Sequence, residues 1–241
     1  MSTHPLIVAL CVFAPSHPKM RIGIAGDGGY VALNLSNVVK YDHILSGGIG
    51  GDNSFEIHAL DLNPGLTCDA YDHTINGLPK PDPRIIWHKT KVGPISEGGD
   101  PLTSYLDKYS NILAKIDIEQ GEFAWLAGVN DKQLNSIAQL MIEWHALDFT
   151  TPHYQREMVR LSKTHKLVHV HVCNHPAIGS RIIGGVKVPH VIECTYVRKD
   201  LEPSTTLSAE FIPGPLDAPN VPGSPEISLN WPPFVNVKTE L

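Results

Sequence analysis

The chain lacks several features that would assign it to a class at once. Its 241 residues include only four cysteines, Cys11, Cys68, Cys173 and Cys194, and no two of them form a C-x-x-C pair. That scatter argues against a zinc ribbon or a redox dithiol and fits reduced thiols in a cytoplasmic protein. No block of lysine and arginine occurs, and 25 acidic residues outnumber 19 basic ones for a net charge of −6. A groove that tracks nucleic-acid phosphates needs the opposite balance, so no nucleic-acid partner is expected. No apolar stretch is long enough to cross a bilayer, and no membrane partner is expected. The one run with signal-peptide character, "LIVALCVFA" (6–14), has no basic lead-in and reads as a buried strand. No internal repeat is visible.

What the chain has in quantity is glycine and proline, 20 of each, and 13 histidines, several of them clustered. A hydrophobic content of 42% over this length is enough for one full α/β domain with a proper core. Short apolar runs alternate with helix-compatible segments, the pattern of a mostly parallel sheet with crossover helices. Strands are read at 42–50, 66–72, 84–93 and 111–122, and "DKQLNSIAQLMIEWHA" turns from helix to strand near Gln139. "HKLVHVHVCNH" and "HVIECTYVRK" read as a closing antiparallel pair across a loop at 179–189. One domain is expected over 1–200, with an N-terminal extension over 1–40. A proline-rich coil over 201–241 would pack on it, because Phe211, Ile212, Leu216 and Trp231 need cover.

In an open parallel sheet, ligands bind beyond the carboxyl ends of the strands. Four such ends carry suitable residues. "SGGIGGD" offers Gly48-x-Gly50, where backbone can approach a ligand and a following helix start can hold an anion, although the full G-x-G-x-x-G of dinucleotide binders is missing. Asp72 ends the next strand some 20 residues on, the distance at which an acidic residue meets ribose hydroxyls. "AKIDIEQGEF" gathers Asp117, Glu119 and Glu122, with Asp117 and Glu119 the candidates to face a substrate hydroxyl or a metal. In "MIEWH", Glu143 and His145 alternate on a strand and share a face, as do His169 and His171 ahead of Asn174. Such a cluster suits catalysis or substrate binding, a divalent-metal site, or buried structural histidines, and no spacing here is diagnostic of zinc.

"YDHILSGGIGGDNSFE", "TCDAYDHT", "ILAKIDIEQGEFAWL" and "LMIEWHAL", in that order, resemble the class I S-adenosylmethionine-dependent methyltransferases of the FkbM-like group. "KIDIEQGE" is the most specific piece, similar to a K-[IMV]-D-[IV]-E-G-x-E signature, with Gln120 where glycine is usual. "RIGIAGDGGYV", "HVHVCN", "PHVIECTY" and "LDAPN" match a narrower subgroup, so the resemblance spans about 21–220. It implies a Rossmann-like, mostly parallel seven-stranded α/β sheet with an antiparallel last strand and S-adenosylmethionine over its carboxyl edge. Gly48, Gly50 and the Asp52 region would hold the amino-acid end, Asp72 the ribose, and 91–93 would lie near the adenine. Asp117 would face the methyl group and the acceptor. Ser46 stands where an acidic residue usually opens the first motif, so Arg21, Asp27, Gly28 and Gly29 become candidates to complete the pocket. The implied activity is O-methylation of a small-molecule or glycan hydroxyl, with His145 or His169 as base, Asp117 and Glu119 orienting the hydroxyl, and Mg²⁺ or Mn²⁺ as an alternative activator. A cofactor-binding module without turnover and a metal-dependent hydrolase are the rival classes.

Overall fold

A computed structural model describes residues 4–145 and 152–236. In chain order its elements begin with α1 (Pro5–Ala9), β1 (Lys19–Ile22), β2 (Tyr30–Leu33), β3 (His43–Gly47), α2 (Ser54–Leu62), β4 (Cys68–Tyr71) and β5 (Ile85–His88). Then come α3 (Thr103–Lys108), β6 (Ile112–Ile116), α4 (Glu122–Gly128), α5 (Asp131–Leu134) and β7 (Ile137–Trp144). The last are α6 (Pro152–Thr164), β8 (His165–Val172), β9 (Ser180–Ile183), β10 (Val186–Pro189) and β11 (Ile192–Arg198).

Seven strands form the main sheet in the order β5-β4-β3-β6-β7-β11-β8. Strands β3 to β7 run parallel, and β11 lies antiparallel between β7 and β8. That order and the single reversed strand are the Rossmann-like class I methyltransferase architecture expected from the sequence. Strands β3, β6, β7 and β8 are buried along their whole length, as a sheet covered on both faces requires. The sheet order reverses beside β3, so the carboxyl ends of β3 and β6 diverge and leave a crevice there.

Local chemistry explains the elements that flank this crevice. Asp52 Oδ1 accepts the Ser54 amide at 3.0 Å in the turn that leads into α2, whose Phe55, Ala59 and Leu60 turn inward. Asn130 and Gln133 form a reciprocal capping box that starts α5 before β7. Gln139 lies inside β7 rather than at its start. Its buried amide bonds the Leu33 backbone and the Tyr41 hydroxyl, so a polar residue sits mid-strand with its hydrogen bonds made.

The structure corrects the N-terminal expectation. Residues 5–9 form the helix α1, not a strand. Pro5 opens it, the Val8 amide reaches His4 O at 3.2 Å, and strand-like pairing begins only beyond the helix, with a bridge from Phe13 to Leu207. Leu6, Ile7, Ala9 and Leu10 are buried, and α1 packs against α6. The segment 19–33 is an antiparallel hairpin, β1 with β2, and the loop expected at 179–189 contains a second hairpin, β9 with β10. In the C-terminal coil, Ile212, Leu229, Phe234 and Val235 join the main core and Trp231 packs against it, while Phe211 stays exposed.

Candidate active site

A cavity of about 590 Å³ opens at the carboxyl ends of β3, β4 and β6. Its floor depends on Gly48, at φ +81°, where an added Cβ would lie 1.6 Å from the Asp117 carbonyl oxygen. Only glycine lets these two strand ends touch. Gly50, at φ +57°, faces open space. Asp72 holds this loop in place. Its Oδ2 accepts the Ile49 and Gly50 amides at 2.9 and 2.8 Å, and its Oδ1 accepts the Thr74 amide and hydroxyl at 2.7 and 2.6 Å. Burial alone would raise its pKa, but these donors, Gly50 first, hold the carboxyl down to about 2. Asp52 lines the same cavity from the turn that leads into α2.

The loop between β1 and β2 forms the facing wall. Arg21 donates to the carbonyls of Gly26, Gly29 and Leu216 at 2.7, 2.9 and 3.1 Å and is spent on shaping that loop. A Cβ at Gly29 would meet Ile24 O at 2.0 Å. Of the four candidates in this segment, Asp27 and Gly28 line the cavity, and Arg21 and Gly29 do not. Burial, then the nearby Asp117 and Glu193, raise the pKa of Asp27. Ser46 donates to Glu56 Oε1 at 2.5 Å, and the fully buried Glu56 lies 3.7 Å from Lys115. The carboxylate missing at position 46 thus reappears from α2, turned into the protein.

The third wall is a corner built by β6 and β7. Tyr30 donates to Asp117 Oδ2 at 2.9 Å. His145 Nδ1 lies 3.0 Å from Glu122 Oε1, which also accepts the Ile118 amide at 3.1 Å. His145 Nε2 then faces Glu119 at 3.4 Å and both Asp117 and Glu143 at 3.9 Å. Burial works against the imidazolium, but the bond to Glu122 and the carboxylates around it raise the His145 pKa. Glu143 is pushed well above the usual carboxylate range by burial, then by Asp117 and Glu193. The turn after Asp117 is strained, with Glu119 at φ +54° and Gln120 at φ +78°. Left-handed backbone at non-glycine residues costs on the order of 1 kcal/mol each, which explains the glycine in the related signature.

His169 is not brought to the cavity. Its ring lies between Lys19 Nζ at 3.3 Å and Asp217 Oδ1 at 2.8 Å. His171 lies 3.1 Å from Glu193 and 3.2 Å from Glu226. His169 and His171 therefore fasten the C-terminal coil to the sheet, together with the Asn174 side chain, which bonds Val221 and Ser224. That coil closes the cavity with Asn220 and Val221.

Tyr30, Lys115 and Glu193 were not legible as site residues. Lys115 looks like an ordinary strand lysine, yet it is buried, donates to the Gly48 carbonyl and keeps a raised pKa against burial through Glu56, Asp117 and Glu143. Four free cysteines are present, and no described helix is long and apolar enough to cross a membrane.

No protein-family model matches the chain, and no curated protein matches it in sequence. Among solved structures it is similar to a fibrillarin/Nop5p complex, at 12% identity over 67% of this chain and 74% of that one, with a TM-score of 0.41. It is also similar to an S-adenosylmethionine-dependent O-methyltransferase from Thermotoga maritima, at 14% identity over 67% and 61% of the two chains, TM-score 0.34. A precorrin-6y C5,15-methyltransferase from Geobacter metallireducens matches at 12% identity over 67% and 82%, TM-score 0.36.

Proposed function

We propose that the chain is an S-adenosylmethionine-dependent methyltransferase that acts on a hydroxyl group of a small molecule or glycan. The observation that carries this is the charge of a glycine-cradled cavity at the carboxyl edge of a sheet of this order. Its wall holds Asp27, Asp52, Asp72, Asp117, Glu119 and Glu143 against Lys91 and Lys115. A pyrophosphate-bearing cofactor would meet repulsion there, whereas a sulfonium and an ammonium are drawn in. The volume lies in the range that buries a cofactor of this size. The same surplus of carboxylates gives a nucleic-acid phosphate no seat, which favours a neutral or cationic acceptor.

In this reading Gly48 and Gly50 admit the cofactor backbone, and Asp27 supplies the carboxylate that the Ser46 position lacks. Asp72 has both oxygens bonded within the protein, so it acts by holding the 48–51 loop as much as by meeting a ribose. S-adenosylmethionine supplies an electrophilic methyl group, whose transfer to an oxygen lone pair leaves a neutral thioether and releases one proton from the acceptor. Positioning does most of the work in such a displacement. Asp117 and Glu119 orient the hydroxyl, and His145, whose Nε2 faces the cavity, takes the proton. His169 has no part in the chemistry. The resemblance to FkbM-like enzymes supports oxygen as the acceptor atom.

Calorimetry with S-adenosylmethionine, S-adenosylhomocysteine and NAD⁺ tests the cofactor. Binding of the first two and not the third is expected, with Asp27→Ala weakening it about tenfold, the worth of one charged contact. Binding of NAD⁺ alone refutes the proposal. S-adenosylmethionine binding with no S-adenosylhomocysteine release across a panel of hydroxylated acceptors would make the chain a non-catalytic module.

A further inference from the structure

We infer that Asp117, Glu143 and His145 form a binding site for a divalent cation at the acceptor end of the cavity. One ligand atom from each lies within 4.8 Å of the others. An octahedral ion with bonds of about 2.1 Å sets neighbouring ligand atoms about 3.0 Å apart and opposite ones about 4.2 Å apart. The His145 Nε2 distances of 3.9 Å to Asp117 and to Glu143 therefore need only small side-chain rotations to close on an ion.

Two further observations point to a ligand. First, the ligands are already oriented from behind. His145 Nδ1 is engaged by Glu122 at 3.0 Å, which turns Nε2 toward the cavity, and Tyr30 donates to Asp117 Oδ2, which leaves Oδ1 without a hydrogen bond. A carboxylate behind a histidine is the usual support of a metal-ligating imidazole. Second, Glu143 is 5% exposed and makes no hydrogen bond to any described residue, although it lines the cavity. A buried carboxylate with no hydrogen bond, whose ion-pair partner is the His145 ring at 3.9 Å, is costly, and a cation supplies a closer counter-charge. Buried Lys115 is committed to Gly48 and Glu56.

Two carboxylate oxygens and one imidazole nitrogen, with no thiolate, suit Mn²⁺ or a similar divalent ion and leave coordination positions open to the cavity. A cation there would lower the pKa of an incoming acceptor hydroxyl. His145 would then serve as a ligand, and the proton would leave to Glu119, whose side chain is 84% exposed, or to water. That consequence rests on the methyltransferase reading; the ion site itself does not.

The test uses the full chain and Mn²⁺, followed by loss of the free-ion electron paramagnetic resonance signal. One equivalent bound in the micromolar range is expected, weakened at least about tenfold in Glu143→Gln and Asp117→Asn. Pulsed measurements should show ¹⁴N coupling that His145→Gln abolishes. Circular dichroism and melting temperature confirm that each variant folds. Absence of Mn²⁺ binding below millimolar, equal affinity in folded variants, or no nitrogen coupling would overturn the site. Mn²⁺ binding without any S-adenosylmethionine binding would overturn the methyltransferase reading alone, and methyl transfer at full rate in EDTA without Mn²⁺ binding would overturn the ion site alone.

Discussion

The contact most open to a quantitative check is the one His171 makes between the sheet and the C-terminal coil. The residue is 1% exposed and sits between Glu193 on β11 and Glu226 on the coil, at 3.1 and 3.2 Å. Burial disfavours its charged form, but Glu193 foremost, then Asp217 and Glu226, raise its pKa from 6.5 to about 9. A folded pKa above the unfolded one means that the folded state holds the proton more tightly. The stabilisation is complete below pH 6.5 and disappears as the pH rises through 9. At about 1.4 kcal/mol per pH unit, that window is worth about 3 kcal/mol, an order-of-magnitude figure for a coupled triad. Urea unfolding at pH 6.0, 7.0, 8.0 and 9.5 on the intact chain and on His171→Gln reads it directly. The wild type is expected to lose about 3 kcal/mol across the series, equivalent to about 6–12 °C in melting temperature for a chain of this size. His171→Gln is expected to start lower at pH 6.0, change little, and meet the wild type near pH 9.5. Parallel pH profiles for the two proteins would refute the assignment of the charged pair.

The acid side behaves in the opposite sense through His165, fully buried against the Ile137 carbonyl, with a pKa held down to about 4 by burial. Its folded state prefers the neutral ring, so stability is expected to fall by about 3 kcal/mol between pH 6.5 and 4, a slope that His165→Asn should flatten in urea titrations. Gln120→Gly removes a left-handed non-glycine residue at φ +78° and is expected to raise stability by about 1 kcal/mol, read as a melting shift of about 3 °C. Gly48→Ala drives a methyl group to 1.6 Å from the Asp117 carbonyl and is expected to cost about 3 kcal/mol and abolish S-adenosylmethionine binding by calorimetry.

The parallel strands were legible as short apolar runs, and the glycine or carboxylate just after β3, β4 and β6 marked Gly48, Asp72 and Asp117 as edge residues. The helix α1 was misread because an unbroken nine-residue apolar run carries no periodicity that separates helix from strand. The Asp117, Glu119 and His145 grouping could be anticipated because strand ends on neighbouring parallel strands meet. The fate of His169 could not. Alternation placed it on a polar face, but its partners Lys19 and Asp217 lie 150 and 48 residues away in sequence. Glu193 was hidden in the same way, since its place beside Glu143 follows from the register of β11.

The position of β11 fixes an order on biosynthesis. Strand β8 pairs with no strand of the main sheet except β11, which leaves the ribosome some 20 residues later. A nascent chain that has just completed β8 therefore carries an eight-residue strand with no neighbour to receive its ladder, and its two latch histidines still await Asp217 and Glu226. Translation must pass residue 221 before the cavity has all its walls.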